Sequence, residues 1–368
     1  MAGRAPEALR VAHSVRNLGA SLQKTPTLSW KLHVRRLARV RLLVTGAAGF
    51  IGSNFVRYWL ERRPNDELVA YDLLTYAGVR ENIPDGVPFV QGDIGDFELA
   101  EQTLTENEVD VVVNFAAESH NSLAVQDPGL FARTNVLGTQ LLLEAARRHG
   151  VSRFHHISTC EVYGDLPLDG GEAFTEESPY RPRTPYNASK AAADHYVRSY
   201  FETFGLPTTI TNCSNNYGPY QFPEKVIPLF TTNALDERPL PLYASTANRR
   251  EWLQVLDHCR AIELVLDRGE PGETYNVGSG IERSIEDVAD AVLELTGKDA
   301  SLKTIVPDRP GHDRRYLLDS SKIREQLGWH DEIGWEDGLA ETVRWYADHR
   351  DWWEPLRDRA PVDEAAWR

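Results

Sequence analysis

Cysteine, long apolar runs and net positive charge are all scarce in this sequence. The three cysteines, Cys160, Cys213 and Cys259, are odd in number and widely spaced, which suits neither a disulfide framework nor a zinc site. We therefore predict a reducing, cytoplasmic location and no bound metal. No segment approaches the roughly 18 uninterrupted apolar residues that a membrane-spanning helix needs, so we expect no membrane partner.

The charge is unevenly distributed along the chain. The net charge is −15 overall, whereas residues 1–40 hold eight Lys and Arg against one acid, a net of +7 that leaves −22 for residues 41–368. Residues 41–368, with this net negative charge, are expected to repel nucleic acid, and an anionic ligand would need a local basic pocket. The leader of residues 1–40 lacks the apolar stretch of a secretion signal. We expect this leader to be disordered or non-native; the other interpretations are a partner-binding tail, a targeting segment and an alternative start at Val40.

Apolar segments in the rest of the chain alternate between strand and helix patterns. Hydrophobic residues make up 41% and charged residues 26%, as in ordinary globular proteins. The strand patterns cover residues 41–45, 67–71, 87–90, 109–115, 153–157 and 208–211, and the helix patterns cover 54–63, 130–149, 189–204, 285–295 and 335–347. Alternation of this kind predicts an α/β fold with a parallel, doubly wound sheet.

A glycine-rich turn follows the first strand pattern. The segment TGAAGFIG has three glycines at the spacing GxxGxxG, namely Gly46, Gly49 and Gly52. Glycine permits the tight turn and lets a pyrophosphate approach the positive end of the next helix. Asp72 ends the second strand pattern, where a carboxylate accepts hydrogen bonds from an adenosine ribose. Because a carboxylate repels a 2′-phosphate and Leu73 follows rather than a base, the sequence predicts NAD rather than NADP. Asp93, after the next strand pattern, is either an adenine contact or a turn aspartate.

A tyrosine and a lysine at helical spacing form a candidate base. Tyr186 and Lys190 in YNASK are at positions i and i+4, on one face of a helix. A tyrosine pKa of about 10 must fall by about three units for a phenolate to act at neutral pH, which is roughly 4 kcal/mol. An ammonium at about 4 Å supplies that order of energy at an effective dielectric constant near 20. Upstream, STCEVYG has the pattern of an active-site strand end, with Thr159, Cys160 and Glu161 as candidates.

With these motifs, the chain resembles the extended short-chain dehydrogenase/reductase family, specifically its nucleotide-sugar 4,6-dehydratases. The resemblance covers about residues 41–345 and rests on the segments TGAAGFIGS, DLLTYAGVREN, NFAAESH, TNVLGT, PYNASK, NNYGPYQFPEKVIP, NVGSG and RPGHDRRYLLD. It implies a Rossmann-like, doubly wound domain over residues 41–213 that binds NAD. A smaller C-terminal α/β region, mainly residues 214–368, binds the nucleotide sugar and interleaves with the first.

The resemblance also implies a mechanism. Tyr186 takes the proton of the sugar 4-hydroxyl while hydride leaves C4 for NAD, Lys190 lowers the tyrosine pKa and holds the nicotinamide ribose, and Thr159 bonds the substrate oxygen. Glu161 removes the C5 proton, a general acid helps water to leave C6, and hydride returns to C6 to give a 4-keto-6-deoxy sugar. Implied NAD contacts are Gly46, Gly49, Phe50, Ile51, Gly52, Asp72, Thr75, Asp93, Ile94, Ala116, Tyr186 and Lys190. Implied contacts to a dTDP- or UDP-hexose are Ser119, His120, Asn215, Glu224, Lys225, Arg250, His312 and Tyr316.

Three departures from the family pattern cluster around the sugar. Cys160 replaces the aspartate that protonates the leaving 6-hydroxyl; a thiol is a weaker acid, and general acid catalysis contributes about 10²–10⁴ in rate. Residues 121–124 read NSLA where the family usually has Val-Asp-Arg-Ser, and residues 250–257 read REWLQVLD where it has Arg-Asp-Trp-Leu-Tyr-Val and an acid before the final Asp. We infer that NAD binding is retained and that the sugar, or the fate of the intermediate, is altered.

Several functions stay open at this point. The leading hypothesis is a lyase of deoxysugar or antibiotic biosynthesis, a 4,6-dehydratase with tightly bound NAD. A 5,6-dehydratase would instead return hydride to C4 and leave an exocyclic alkene. A 4-epimerase needs Tyr186, Lys190 and NAD but no elimination, and the retained Glu161 argues against it. A non-catalytic protein that binds NAD or a nucleotide sugar is the alternative from another class. The resemblance also implies a homodimer through a four-helix interface of segments 130–149 and 184–204.

Overall fold

The computed structural model describes residues 39–308 and 310–360, so the predictions for the leader lie almost entirely outside the described residues. The strands are β1 (Arg41–Thr45), β2 (Glu67–Asp72), β3 (Phe89–Gln91), β4 (Val111–Asn114), β5 (Arg153–Thr159), β6 (Thr208–Cys213), β7 (Asn215–Tyr217), β8 (Leu240–Tyr243), β9 (Arg249–Gln254), β10 (Thr274–Val277), β11 (Glu282–Ser284) and β12 (Lys303–Val306). The α-helices are α1 (Phe50–Arg62), α2 (Phe97–Glu106), α3 (Asn121–Gln126), α4 (Pro128–Phe131), α5 (Thr139–His149), α6 (Pro185–Phe204), α7 (Val226–Leu235), α8 (Val255–Arg268), α9 (Ile285–Thr296), α10 (Ser321–Leu327), α11 (Trp335–Asp348) and α12 (Arg350–Trp353). Within the described ranges, no helix combines the length and the apolar character needed to cross a bilayer.

One large parallel sheet organises the described residues. Its seven strands follow the order β10-β6-β5-β4-β1-β2-β3, and Leu43 of β1 lies between Val69 of β2 and Val112 of β4. The strand order reverses between β1 and β4, which opens a crevice outside the carboxyl ends of these two strands. The predicted α/β fold with a parallel, doubly wound sheet is confirmed.

Helices cover both faces of this sheet. Neighbouring residues of β1 point to opposite faces, so Leu43 packs with Leu142 of α5 and Val197 of α6, whereas Leu42 packs with Phe55 of α1 and with α8. Because both faces are buried, β1 and β4 hold unbroken apolar runs, whereas the neighbouring β5 also buries His155 and His156. This explains why short apolar runs were sufficient to predict β1 and β4.

The chain after residue 213 contributes to two layers of the molecule. It builds a three-stranded sheet of order β11-β9-β7 and a pair β12-β8, which pack with α7, α9 and α11 around Trp252 and Trp335. The same part of the chain also supplies β10 to the edge of the large sheet beside β6, and α8 to one of its faces. The predicted boundary near residue 213 stays a prediction, and the two parts share the large sheet.

The long helix predicted over residues 130–149 is interrupted. The structure has α4, then a π-helical segment over Ala132–Gly138, then α5. Asn135 in the π segment is buried, and its side chain bonds the backbone of Glu118 in both directions and the hydroxyl of Ser189. Widened turns of this kind are frequent at functional sites, and here the side-chain amide of Asn135 connects the segment after β4 to α6.

Candidate active site

A cavity of about 770 Å³ opens at the carboxyl ends of the central strands. All residues predicted to contact NAD line this cavity. The lining also includes Thr159, Glu161, Ser119, His120, Asn215, Glu224, Lys225, Arg250 and His312 from the predicted catalytic and sugar-binding sets. Two predicted site residues, Cys160 and Tyr316, lie outside the lining. The crevice at the strand reversal therefore gathers side chains that are far apart in the sequence.

The turn between β1 and α1 has no space for side chains at Gly46 and Gly52. A Cβ atom on Gly52 would lie 2.2 Å from the carbonyl oxygen of Gly46, and one on Gly46 would lie 2.6 Å from the backbone nitrogen of Ala116. Gly46 also has φ of +65°, a conformation that favours glycine. α1 begins after Gly49, with no side-chain cap and no acid in its first turn. The first amides of α1 are thus available to an anion, as a pyrophosphate site requires.

Asp72 lies at the end of β2, beside this turn. Its Oδ2 accepts a hydrogen bond from the Ala48 amide at 2.9 Å, and its Oδ1 accepts one from the Leu74 amide at 2.8 Å. Burial raises the pKa of Asp72, while the two backbone hydrogen bonds act in the opposite direction. Further along the cavity, Asp93 accepts from the Gly95 amide at 2.8 Å. The glycine turn and the fixed carboxylate of Asp72 fit a dinucleotide with a free 2′-hydroxyl.

Helix α6 positions Tyr186 and Lys190 on the opposite side of the cavity. The hydroxyl of Thr184 caps α6 by accepting from the Asn187 amide at 3.2 Å, and Pro185 occupies the first turn, where its fixed φ is favourable. Lys190 Nζ donates to the Ile157 carbonyl at 2.7 Å and lies 3.3 Å from His156 Nε2. Tyr186 and Lys190 therefore face the cavity from one helix, as the i, i+4 spacing predicts.

Burial dominates the electrostatics of this pair. Burial lowers the pKa of Lys190 to about 8, although the nearby Asp194 acts in the opposite direction. Burial also raises the pKa of Tyr186 well above its ordinary value, and Glu161 adds to the effect, whereas a hydrogen bond with Thr159 lowers it. Within the protein alone, the phenol keeps its proton. A phenolate at Tyr186 therefore needs further positive charge beside it.

The carboxyl end of β5 carries Thr159, Cys160 and Glu161. Thr159 Oγ1 accepts from the Glu161 amide at 3.2 Å, and Glu161 Oε2 accepts from Asn121 Nδ2 at 3.2 Å. Cys160 points elsewhere: it is 1% exposed and packs in an apolar cluster with Val162, Ala191, Leu318 and others. Burial raises the pKa of the Cys160 thiol well above its usual value.

A chain of polar groups runs along the wall next to α3. His120 Nδ1 accepts from the Ser122 and Leu123 amides at 3.1 and 3.3 Å, so a neutral ring carries its proton on Nε2, which lies 3.4 Å from Glu224 Oε2. Lys225 Nζ lies 3.3 Å from Glu224 Oε1 and donates to the Ser119 carbonyl at 3.4 Å. This wall offers both donors and acceptors to a polyhydroxyl ligand.

The far end of the cavity is formed by β7, β9 and the segment near residue 312. Arg250 is buried, donates to the Asp313 carbonyl at 2.8 Å and lies over the ring of Tyr316 at 4.8 Å. Tyr316 thus supports Arg250 from behind rather than lining the cavity, and its hydroxyl donates to the Asp313 carboxylate. His312 packs its ring against Tyr243 at 5.0 Å. Asn215 Oδ1 is buried without a hydrogen-bond partner among the described residues, which leaves an acceptor for a ligand.

Several lining residues were not assigned a role from the sequence. They are Glu118, Asn121, Tyr76, Cys213 and Trp252. Tyr76 donates to Glu224 at 2.8 Å, and the Cys213 thiol donates to the Ser158 carbonyl at 3.4 Å. Cys213 ends β6, and a position at the carboxyl end of a central strand was a usable signal for it. The contacts of Asn121 and Tyr76 depend on tertiary packing, for which the sequence gives no local signal.

The chain is similar to known proteins in both sequence and fold. The family model described as GDP-mannose 4,6 dehydratase matches residues 43–342. A dTDP-glucose 4,6-dehydratase of Streptomyces antibioticus is 48% identical over 334 residues, which cover 89% of this chain and 98% of that protein. The crystal structure of a dTDP-glucose 4,6-dehydratase of Streptomyces venezuelae with NAD bound has a TM-score of 0.83 and 49% identity, and the match covers 86% of this chain and all (100%) of that one. A UDP-glucose 4-epimerase of Thermus thermophilus in complex with NAD has a TM-score of 0.79 and 36% identity, with 84% of this chain and 100% of that chain covered.

Proposed function

This chain belongs to the GDP-mannose 4,6 dehydratase family, and we propose that its cavity acts on a nucleotide-linked hexose with the residues assigned below. The protein is an NAD-dependent nucleotide-sugar 4,6-dehydratase, a lyase of the extended short-chain dehydrogenase/reductase type. One observation carries the assignment of residues. Tyr186, Lys190 and Glu161 face the same cavity as the glycine turn at Gly46–Gly52.

The cofactor is NAD, as in the related structures. When bound, it would supply reversible hydride transfer at C4 of the hexose, and its oxidised ring would add positive charge to the site. We assign the pyrophosphate to Gly49, Phe50 and Ile51 at the start of α1, and the adenosine ribose to Asp72. Thr75, Asp93, Ile94 and Ala116 complete this side of the cavity. Lys190 holds the nicotinamide ribose.

Tyr186 and Thr159 act on the 4-hydroxyl of the sugar. Tyr186 accepts the proton of this hydroxyl, and Thr159 donates a hydrogen bond to its oxygen. The pKa of Tyr186 in the protein alone is too high for this step, and each unit is equivalent to about 1.4 kcal/mol. The positive charges of Lys190 and of the oxidised cofactor favour the phenolate. The tyrosine is therefore a base only in the loaded enzyme.

Glu161 acts at C5 once C4 is a ketone. The ketone acidifies the C5 proton, and the Glu161 carboxylate lies in the cavity to accept it. Loss of hydroxide from C6 needs a proton donor, which in the family is an aspartate at the position of Cys160. Because the Cys160 thiol has a raised pKa and lies outside the lining, we propose that protonation of this leaving group is the weakened step in this protein.

We assign the nucleotide and the sugar to the remaining wall. Arg250 and Lys225 are the cations suited to a diphosphate, with His312, Asn215 and the supporting Tyr316 beside Arg250. Ser119, His120 and Glu224 face the sugar. Two relatives with the dTDP-glucose activity favour a dTDP-hexose over a UDP-hexose. A 4-epimerase, which the fold also permits, has no use for Glu161 in the cavity.

The assembly and location are also proposals. We propose a homodimer through α5 and α6, because the outer face of α6 is exposed and includes Ala188 and Tyr196. Three buried, free cysteines support the proposed cytoplasmic location.

Incubation with a panel of dTDP- and UDP-hexoses tests the function. We expect loss of 18 mass units, the mass of water, and a new C6 methyl signal in the NMR spectrum with a dTDP-hexose. The same mass loss with vinylic protons would indicate the 5,6-alkene instead. A product of unchanged mass would indicate epimerisation, and no product with any sugar would leave only a binding role. Tyr186→Phe, which keeps the ring and removes the base, is the matched control and should give no product.

A further inference from the structure

Asn121 lines the cavity, and its side chain contacts the candidate C5 base. Asn121 Nδ2 donates to Glu161 Oε2 at 3.2 Å, and Asn121 Oδ1 accepts from the Thr184 hydroxyl at 3.1 Å. The Thr184 oxygen is itself fixed as the cap of α6, where it accepts from the Asn187 amide at 3.2 Å. A continuous chain of hydrogen bonds therefore runs from the start of α6 to Glu161.

The direction of each hydrogen bond follows from the capping contact. Because Thr184 Oγ1 already accepts from an amide, its proton is free to point at Asn121 Oδ1. An amide side chain has one acceptor and one donor group, so the NH₂ group of Asn121 is then directed at Glu161. A donor at this distance favours the ionised carboxylate over the protonated acid. The same bond restricts the rotation of the carboxylate.

We propose that Asn121 is a positioning residue, which holds Glu161 ionised and in place to remove the C5 proton. Thr184 precedes Tyr186 by two positions on the same helix start, so this chain of bonds fixes the C5 base relative to the base for the 4-hydroxyl. The proposal rests on the proposed function, because it assigns a role to Glu161 in that reaction.

Two steps of the reaction distinguish a positioning role from a structural one. Asn121→Leu keeps a similar volume but removes both hydrogen bonds. With the hexose that the wild-type enzyme converts, exchange of the C5 proton with deuterated solvent should slow by about tenfold to a hundredfold, the usual effect of one bond to a charged group. The rate of C4 oxidation, followed by the absorbance of reduced nicotinamide, should not change, and the reduced cofactor should accumulate.

Conservative variants complete the experiment. Thr184→Ser keeps both the cap and the bond to Asn121 and should retain the C5 exchange rate, whereas Thr184→Val should slow it as Asn121→Leu does. Asn107→Val is the matched control, because it also replaces an asparagine but at the end of α2, outside the cavity lining. Equal loss of both rates in Asn121→Leu, or no loss of either, overturns the role of Asn121 while the wild-type product still supports the function. Wild-type protein that oxidises no hexose overturns both.

Discussion

At the scale of single residues, the side chain of Cys160 faces away from the reaction that its position suggests. The thiol packs against Ala191, Tyr316 and Leu318, and burial keeps it protonated. A group that does not release its proton at neutral pH and does not line the cavity is a poor general acid. With the proposed roles, cysteine at this position should affect the step at C6 and leave proton removal by Tyr186 and Glu161 intact.

Cys160→Asp should restore the missing acid. A carboxylate is costly in the apolar cluster that holds the thiol, so we expect the Asp side chain to turn into the cavity. The rate of water elimination should then rise by up to about 10²-fold, since general acids contribute about 10²–10⁴. Stability should fall by about 1–3 kcal/mol, because the packing of the thiol is lost. Product formation and thermal unfolding measure the two effects. Cys160→Asn has the same shape without the acid and should not exceed the parent rate; identical rates and products for Cys160→Asp and the parent would show that this position has no part in the chemistry.

Residues in short local motifs could be predicted from the sequence. The spacing of the glycines in the turn and the i, i+4 spacing of Tyr186 and Lys190 are visible in the sequence itself, and all of these residues line the cavity. The contact between Asn121 and Glu161 joins side chains 40 positions apart, and it depends on how α3 packs against the end of β5. A contact between two distant side chains leaves no periodic pattern in the sequence. The sequence therefore showed only that Asn121 departs from the family pattern.

At the scale of elements, the close contact between the β1–α1 turn and α1 fixes the position of the first amides of α1 at the proposed cofactor site. Replacing glycine by alanine inside a helix usually stabilises it by about 1 kcal/mol. At Gly52 the added carbon would lie 2.2 Å from the Gly46 carbonyl oxygen, a distance that real Cβ atoms do not adopt. The contact must open, which displaces the first amides of α1.

Gly52→Ala should therefore lose bound NAD. We expect purified protein to carry much less cofactor than the wild type, with a lower melting temperature but retained helical circular dichroism. Chromatography of the nucleotide released on denaturation measures the bound NAD. Gly171→Ala is the matched control, because a Cβ there meets no atom within 4 Å. Wild-type NAD content in Gly52→Ala would exclude the proposed pyrophosphate contact.

Elements were predictable where one local pattern decides them. β1, β2 and β4 each hold a short apolar run, and α6 combines a Thr–Pro start with a Gly205 end in the left-handed region, which favours glycine. The break in the helix at Ala132–Gly138 was missed, because its apolar spacing resembles that of an ordinary helix. The buried amide of Asn135 and its partners, Glu118 after β4 and Ser189 on α6, favour the wider turn.

At the scale of the whole molecule, α6 presents an exposed outer face. Tyr196 is 43% exposed, and Ala188 on the same face is also exposed. Small residues permit close approach of a second helix, and an aromatic side chain adds apolar area. In a dimer with twofold symmetry, each copy of the chain would cover the outer face of α6 in the other copy.

Tyr196→Glu should convert the proposed dimer into a monomer. A charge within the proposed contact would be buried without a partner, which is unfavourable. Sedimentation velocity of the wild type and the variant measures the change in mass. Ile305→Glu, at a residue 61% exposed on β12, introduces the same charge elsewhere and should remain dimeric. A monomeric wild type would contradict the proposed assembly.

The late position of β10 in the chain affects how the protein is made. The ribosome releases β6 first and must then translate β7 through α8 before the neighbour of β6 emerges. At about 5–20 residues per second, the nascent chain holds an open sheet edge for several seconds, and such edges pair readily with other strands. A polypeptide truncated near residue 213 would keep this edge permanently, so residues 41–213 should aggregate when they are expressed alone.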